Sequence, residues 1–131
     1  MRPYIPELSQ LYDASFQPEP MPVYPIDAFH PLGFNELLRC YKYRPGEQFR
    51  RHEDFAHEWD STKRTFLTVL LYLNDDFTGG ETRFEEGTIE PKIGRTVIFP
   101  HELVHEGCQV STGAKYALRS DVVFSVGSEV G

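Results

Sequence analysis

A chain of 131 residues is enough for one domain, and a domain near this size buries roughly two-thirds of its unfolded surface, so a real core is available. Hydrophobic residues at 40% and charged residues at 25% describe a globular chain and exclude disorder as its main state; aromatics are abundant at 14%. Thirteen Lys and Arg against twenty Asp and Glu leave a net charge of −7, which opposes the counterion release that polynucleotide binding relies on.

Residues 1–32 hold seven of the ten prolines and read as an extended lead-in, with a short helical turn expected around Glu7 to Tyr12. The opening Met1 to Pro6 lacks the apolar stretch of a signal peptide, and no later run is long enough to span a bilayer; the expectation is a soluble, cytoplasmic protein with no membrane partner. The domain proper is expected over 33–126, followed by a polar tail over 127–131.

Asn35 to Tyr43 suits a strand with Tyr41 and Tyr43 on one face and Cys40 and Lys42 on the other, and Pro45-Gly46 marks the turn after it. A polar loop runs from His52 to Lys63, with His57 solvated and Trp59 either a lid contact or an anchor. Thr65 to Leu73, rich in β-branched and aromatic residues, predicts a strand buried on both faces. Shorter strands follow at Glu81 to Phe84 and Arg95 to Phe99, then a loop carrying His105-Glu106-Gly107, and a last strand from Tyr116 to Phe124. Cys40 and Cys108 match no disulfide framework or zinc pattern and are expected as buried free thiols. Many short strands at regular spacing indicate a mainly β, double-sheet or barrel architecture with few short helices.

His52-Glu53-Asp54 places an imidazole and a carboxylate two residues apart at a strand end, where the period of two aims both the same way. A second imidazole from another strand would complete a facial triad with its opposite face open, and His105 is the candidate. His101-Glu102-Leu103-Val104-His105 competes for the same histidine, because it fits the H-E-x-x-H signature of zinc proteases. That signature needs a helix, and Gly107 would stop one barely two turns after Pro100, so His101 reads instead as an exposed or capping loop residue near the site mouth. Ten residues beyond His105, Lys115 lies on the terminal strand, and Arg119 shares its face.

These motifs, taken in order, resemble the prolyl 4-hydroxylase-like members of the iron(II) and 2-oxoglutarate-dependent dioxygenases. The resemblance runs from about Gly33 to Phe124 through Asn35 to Gly46, His52-Glu53-Asp54, Leu71-Tyr72-Leu73-Asn74, Gly79-Gly80-Glu81-Thr82, His105-Glu106-Gly107 and Lys115 to Asp121. It implies a double-stranded β-helix (a jelly roll, cupin-like), iron(II) held by His52, Asp54 and His105, and 2-oxoglutarate salt-bridged to Lys115, with Arg119 able to share or take over the carboxylate. Tyr43 and Tyr72 match positions where family members hydrogen-bond the co-substrate. The implied reaction uses dioxygen, with ascorbate as reductant, to hydroxylate a C–H bond and release succinate and carbon dioxide. Prolyl residues in peptides, free amino acids and small metabolites are all open as substrates. The alternative is a non-catalytic, metal-binding jelly-roll module. Family members enter this region after an N-terminal helical part, whereas few residues precede Gly33 here, so that support is expected to be truncated or supplied differently.

Overall fold

The computed structural model describes residues 28–126, so the helical turn expected around Glu7 to Tyr12 and the tail over 127–131 lie outside the described residues. Two long strands form the spine. β5 (Lys63–Tyr72) is the β-branched and aromatic run, and Arg64 to Val69 is buried without interruption. It pairs antiparallel with the terminal strand β12 (Lys115–Val126), from Ala117 opposite Tyr72 to Ser125 opposite Lys63, with a bulge between Val122 and Val123.

β12 is long enough to take two partners on its other edge. Its first half pairs with β2 (Arg39–Tyr43) and its second half with β1 (Phe29–Phe34), while β9 (Thr96–Pro100) and β4 (Glu58–Asp60) pair with β5. These six strands make one sheet. β3 (Phe49–His52), β10 (His105–Gly107), β7 (Thr82–Phe84) and β8 (Gly87–Ile89) make a second sheet, in the order β3-β10-β7-β8. A two-stranded ribbon of β6 (Thr78–Gly79) and β11 (Val110–Thr112) completes the set. Gly79 adopts φ +78°, and a β-carbon there would collide with the Gln109 carbonyl, so the ribbon closes only on glycine.

The two main sheets face each other. Phe84 and Phe99 meet edge to face at 5.0 Å, and the Tyr72 hydroxyl is hydrogen-bonded to Thr82 on the opposite sheet. Along β5 the pleat divides the side chains: Thr68 and Leu70 look into the space between the sheets, while Leu67 and Val69 fall on the other face. Phe66 packs edge to face on Phe29 and Phe124, and these rings with Leu67, Val69, Val122 and Val126 form the hydrophobic core. The architecture is the mainly β jelly roll expected, and no α-helix occurs among the described residues.

Three local expectations change. The strand expected from Asn35 begins only at Arg39, because four residues, 35–38, must span a stretch where β12 supplies two, 120 and 121. Asn35 anchors that step: its backbone N–H donates to the Asp121 carbonyl (2.8 Å), and its side-chain oxygen accepts from the Leu37 N–H (3.0 Å). Residues 29–32, read as lead-in, belong to β1, where Pro31 is tolerated at a sheet edge beside a register shift before Gly33. His105-Glu106-Gly107 is a strand and not a loop, stitched between β3 and β7.

The expected burial of both thiols also fails. Cys40 points outward from edge strand β2 and is exposed, and Cys108 is half-buried. Leu67→Ala, at a fully buried position on the spine, should cost about 2–4 kcal/mol in urea unfolding. Ile93→Ala, at an exposed position, should cost less than about 0.5 kcal/mol in the same measurement.

Candidate metal centre

β3 and β10 run antiparallel with His52 directly opposite His105, and the two imidazole centroids lie 4.3 Å apart. Asp54 follows β3 by two residues, and its backbone N–H donates to the His101 carbonyl (2.8 Å), which turns its carboxylate inward between the sheets. His52 Nε2 is 3.3 Å from Asp54 Oδ1, and His105 Nε2 is 3.6 Å from Asp54 Oδ2. Two metal-ligand bonds of about 2.1 Å at right angles put their ligand atoms about 3 Å apart, so this spacing fits three ligands on one face of a metal ion. One ligand atom from each residue lies within 4.8 Å of the others.

Both imidazoles are held by the same local device. His52 Nδ1 donates to the Arg50 carbonyl (2.6 Å) and His105 Nδ1 to the Leu103 carbonyl (2.8 Å), each two residues upstream, which leaves Nε2 bare toward the shared point. Burial pushes the His105 imidazole below its ordinary range, favouring the neutral form that binds metal. Phe49 stacks on His52 at 4.0 Å, and Phe99 packs on His105 at 4.6 Å, making an aromatic wall around the ligands. Two nitrogens and one carboxylate oxygen with an open opposite face are the donor set suited to non-haem iron(II).

The same cavity continues along β12. Lys115, Ala117 and Arg119 line it, as the period of two requires, and Tyr43 stands opposite Lys115 in the register. The two cations differ in what they touch. Arg119 reaches Asp54 Oδ1 and Asp121 Oδ1, each at 3.4 Å, so its charge is engaged by carboxylates. Lys115 is 2% exposed, with its Nζ 4.7 Å from the Tyr43 ring centroid, and among the described residues no carboxylate lies within ion-pair distance of it. Desolvation lowers its pKa from 10.5 to about 8. Burial, with the Tyr41 hydroxyl adding to it, pushes Tyr43 up to about 12, so its hydroxyl remains a donor. Tyr72 is fully buried behind the cavity wall, its hydroxyl taken by Thr82, and its ring lies 5.6 Å from Lys115 Nζ.

His101 is placed differently from the exposed loop residue that its spacing suggested. It is 4% exposed in a turn, with Nδ1 2.8 Å from the Thr68 hydroxyl and Nε2 2.8 Å from the Thr65 hydroxyl. Neither ring nitrogen is available to a metal shared with His105, and the segment is not helical, so the zinc-protease geometry does not form. His57 is exposed as expected and meets Trp59 at 4.4 Å; the loop expected through Lys63 is interrupted by β4, which carries Trp59 and pairs with β5, with Lys63 over the indole. Thr68, Tyr41 and Phe49 line the cavity although no spacing rule singled them out. Their only signal was the pleat, which locates a residue on a face once strand register is known.

A family model described as the 2OG-Fe(II) oxygenase superfamily matches residues 38–120, and the chain belongs to that superfamily. The chain is 27% identical over 114 residues to Prolyl 4-hydroxylase 1 of Arabidopsis thaliana, covering 66% of this chain and 40% of that protein. It is 29% identical over 109 residues to a putative prolyl 4-hydroxylase of Acanthamoeba polyphaga mimivirus, covering 66% and 44%. Thus it spans less than half the length of these curated relatives. Among solved structures, the viral collagen prolyl hydroxylase of Paramecium bursaria Chlorella virus-1, in its 2OG complex, superposes with a TM-score of 0.57 at 25% identity, covering 72% of this chain and 62% of that one. A Pseudomonas putida prolyl-4-hydroxylase matches with a TM-score of 0.51 at 25% identity, covering 65% and 50%.

Lys115 carries a testable signature. The unfolded chain keeps this proton up to about 10.5 and the folded chain releases it near 8, so the unfolded state binds more protons between those values and stability rises with pH across that window. Below about 8 the buried charge is destabilising in full. Lys115→Met should therefore stabilise the metal-free protein at pH 7 by on the order of 2 kcal/mol, with the gain shrinking toward pH 10 in urea unfolding. A destabilised variant at pH 7 would mean that Lys115 is a structural cation.

Proposed function

We propose that the protein is an iron(II)- and 2-oxoglutarate-dependent dioxygenase that hydroxylates a prolyl or similar unactivated C–H bond of a peptide. The observation that carries this reading is a buried lysine, without a carboxylate partner among the described residues, facing the same cavity as the His52, Asp54 and His105 triad. A buried cation is costly until an anion meets it, and a dicarboxylate chelating the metal brings its far carboxylate to that end of the cavity.

In this reading His52, Asp54 and His105 hold iron(II) through Nε2, a carboxylate oxygen and Nε2. The iron, when bound, supplies oxidative chemistry driven by decarboxylation of the co-substrate, with succinate and carbon dioxide as co-products. Lys115 binds the far carboxylate of 2-oxoglutarate and regains full protonation as the dianion arrives, while Tyr43 donates its hydroxyl to the same group. Tyr72, whose hydroxyl is already engaged, packs behind Lys115 and positions it. Arg119 stays with Asp54 and Asp121, which supports Lys115 over Arg119 as the partner of the co-substrate. Phe49 and Phe99 keep the cavity walls apolar and limit water around the reacting centre.

A second, open groove leads away from the triad, sharing Phe49, His52, Asp54 and Arg119 with the cavity and continuing past Leu37, Arg39 and Phe55. Leu37 is 57% exposed and Phe55 87%, so the groove offers apolar side chains among its polar and charged lining, which includes Asn35, Glu53 and Asp121. An extended peptide fits an open groove of mixed lining, and the relatives' names support a prolyl residue within it. The site is proposed to work in a cytoplasmic setting with ascorbate as reductant.

Purified protein given iron(II), ascorbate, 2-oxoglutarate and proline-containing peptides should form succinate and add one oxygen atom to the peptide, read by mass spectrometry. His52→Ala should abolish both products, and succinate without any peptide oxidation would remove the peptide assignment. Because the free protein's Lys115 loses its proton near 8, the apparent affinity for 2-oxoglutarate should hold below that pH and weaken about tenfold per unit above it. A flat profile from pH 7 to 9.5 would contradict the role of Lys115.

A further inference from the structure

Thr68 and His101 play no part in the reaction above, yet they meet the one anionic ligand of the triad through a directed chain of hydrogen bonds. The Thr68 hydroxyl donates to Asp54 Oδ2 at 2.6 Å. A carboxylate only accepts, so the single hydroxyl proton of Thr68 is committed there, and its oxygen must accept from His101 Nδ1, 2.8 Å away. That assignment leaves His101 Nε2 bare, and it accepts from the Thr65 hydroxyl at 2.8 Å. Thr65 in turn accepts from the backbone N–H of His57 at 3.0 Å. Every bond therefore points toward Asp54.

The backbone closes the arrangement. Asp54 N–H donates to the His101 carbonyl (2.8 Å), and His101 N–H donates to the Phe66 carbonyl (2.9 Å) of β5. Asp54, Thr65, Thr68 and His101 are all buried. Asp54 Oδ2 also lies 3.6 Å from His105 Nε2, whereas Oδ1 faces His52 Nε2 at 3.3 Å and Arg119 at 3.4 Å and makes no bond to the relay.

We infer that Thr68 and His101 are positioning residues for the metal: the relay commits Oδ2 to the protein and presents Oδ1 to the ion, so that Asp54 ligates through a single oxygen and one face of the ion stays open. The inference rests on the reading of the triad as a metal site. Partners of this kind outside the ligand set typically change metal affinity by about 10- to 100-fold when removed.

Titration of the full chain with cobalt(II), followed by its visible absorption, reads both affinity and ligand geometry without turnover. Thr68→Val, which exchanges a hydroxyl for a methyl group, should weaken cobalt(II) binding about 10- to 100-fold and alter the spectrum, while Thr68→Ser should restore both to within about threefold of wild type. His101 gives an independent pair of polar variants. His101→Asn places an amide nitrogen where Nδ1 stood and should stay within about threefold of wild type, whereas His101→Gln places it where Nε2 stood and should lose about tenfold. If Thr68→Val does not fold by circular dichroism, the His101 pair decides. Wild type that binds no cobalt(II) would overturn the triad itself. Wild type that binds tightly alongside an equally tight Thr68→Val with an unchanged spectrum, or an Asn and Gln pair of equal affinity, would overturn the relay and leave the triad standing.

Discussion

Asp54 carries a carboxylate whose side chain is 2% exposed, and a charge so placed costs several kcal/mol unless donors and cations surround it. Here the surroundings come from both sheets at once. Thr68 from β5 donates to one oxygen, Arg119 from β12 lies against the other, and the imidazoles from β3 and β10 face both. The carboxylate therefore binds the sandwich together at the point where a metal would sit. Removing any one partner would leave the rest of the cluster under-compensated, which ties the integrity of the site to the register of four strands.

The cations around this anion divide into one paired with carboxylates and one with no carboxylate in ion-pair reach among the described residues. Arg119 is held between Asp54 and Asp121. Lys115, four residues earlier on the same face, is buried against Tyr43 and Tyr72, whose rings offer only a weak attraction. A fold selected for stability alone would have placed an apolar side chain there. Keeping a desolvated ammonium group in the cavity is a local cost that the nearby Glu81 and Cys108 offset only in part, and such conflicts between local stability and burial are expected at binding sites.

Much of this arrangement was legible in the sequence. The β-branched run from Thr65 announced β5, and the period of two put Lys115 with Arg119 on one face of β12; Asp54 lies beyond the end of β3, so it meets His52 through the bond from its backbone N–H to the His101 carbonyl and not through strand period. His105 could be chosen because no helix could carry the competing motif. What resisted reading depended on tertiary partners. His101 lies four residues from the candidate ligand His105, and its spacing said metal or solvent; its actual partners, Thr65 and Thr68, are more than thirty residues away, joined to it only once β9 pairs with β5. The irregular step at 35–38 arises from a mismatch with β12 that no local propensity encodes, and His105-Glu106-Gly107 is a strand because two neighbours pair with it, not because its residues favour one.

If His52, Asp54 and His105 hold one iron(II) ion with an open face, 2-oxoglutarate should bind that face as a chelate. Anaerobic titration of the iron(II)-loaded protein with 2-oxoglutarate, followed by absorbance, tests it most directly, because chelation through the keto and carboxylate oxygens produces a visible charge-transfer band. The band should saturate at about one equivalent per chain and be lost in His105→Ala. Co-substrate binding detected by calorimetry with no such band, or an undiminished band in His105→Ala, would contradict it.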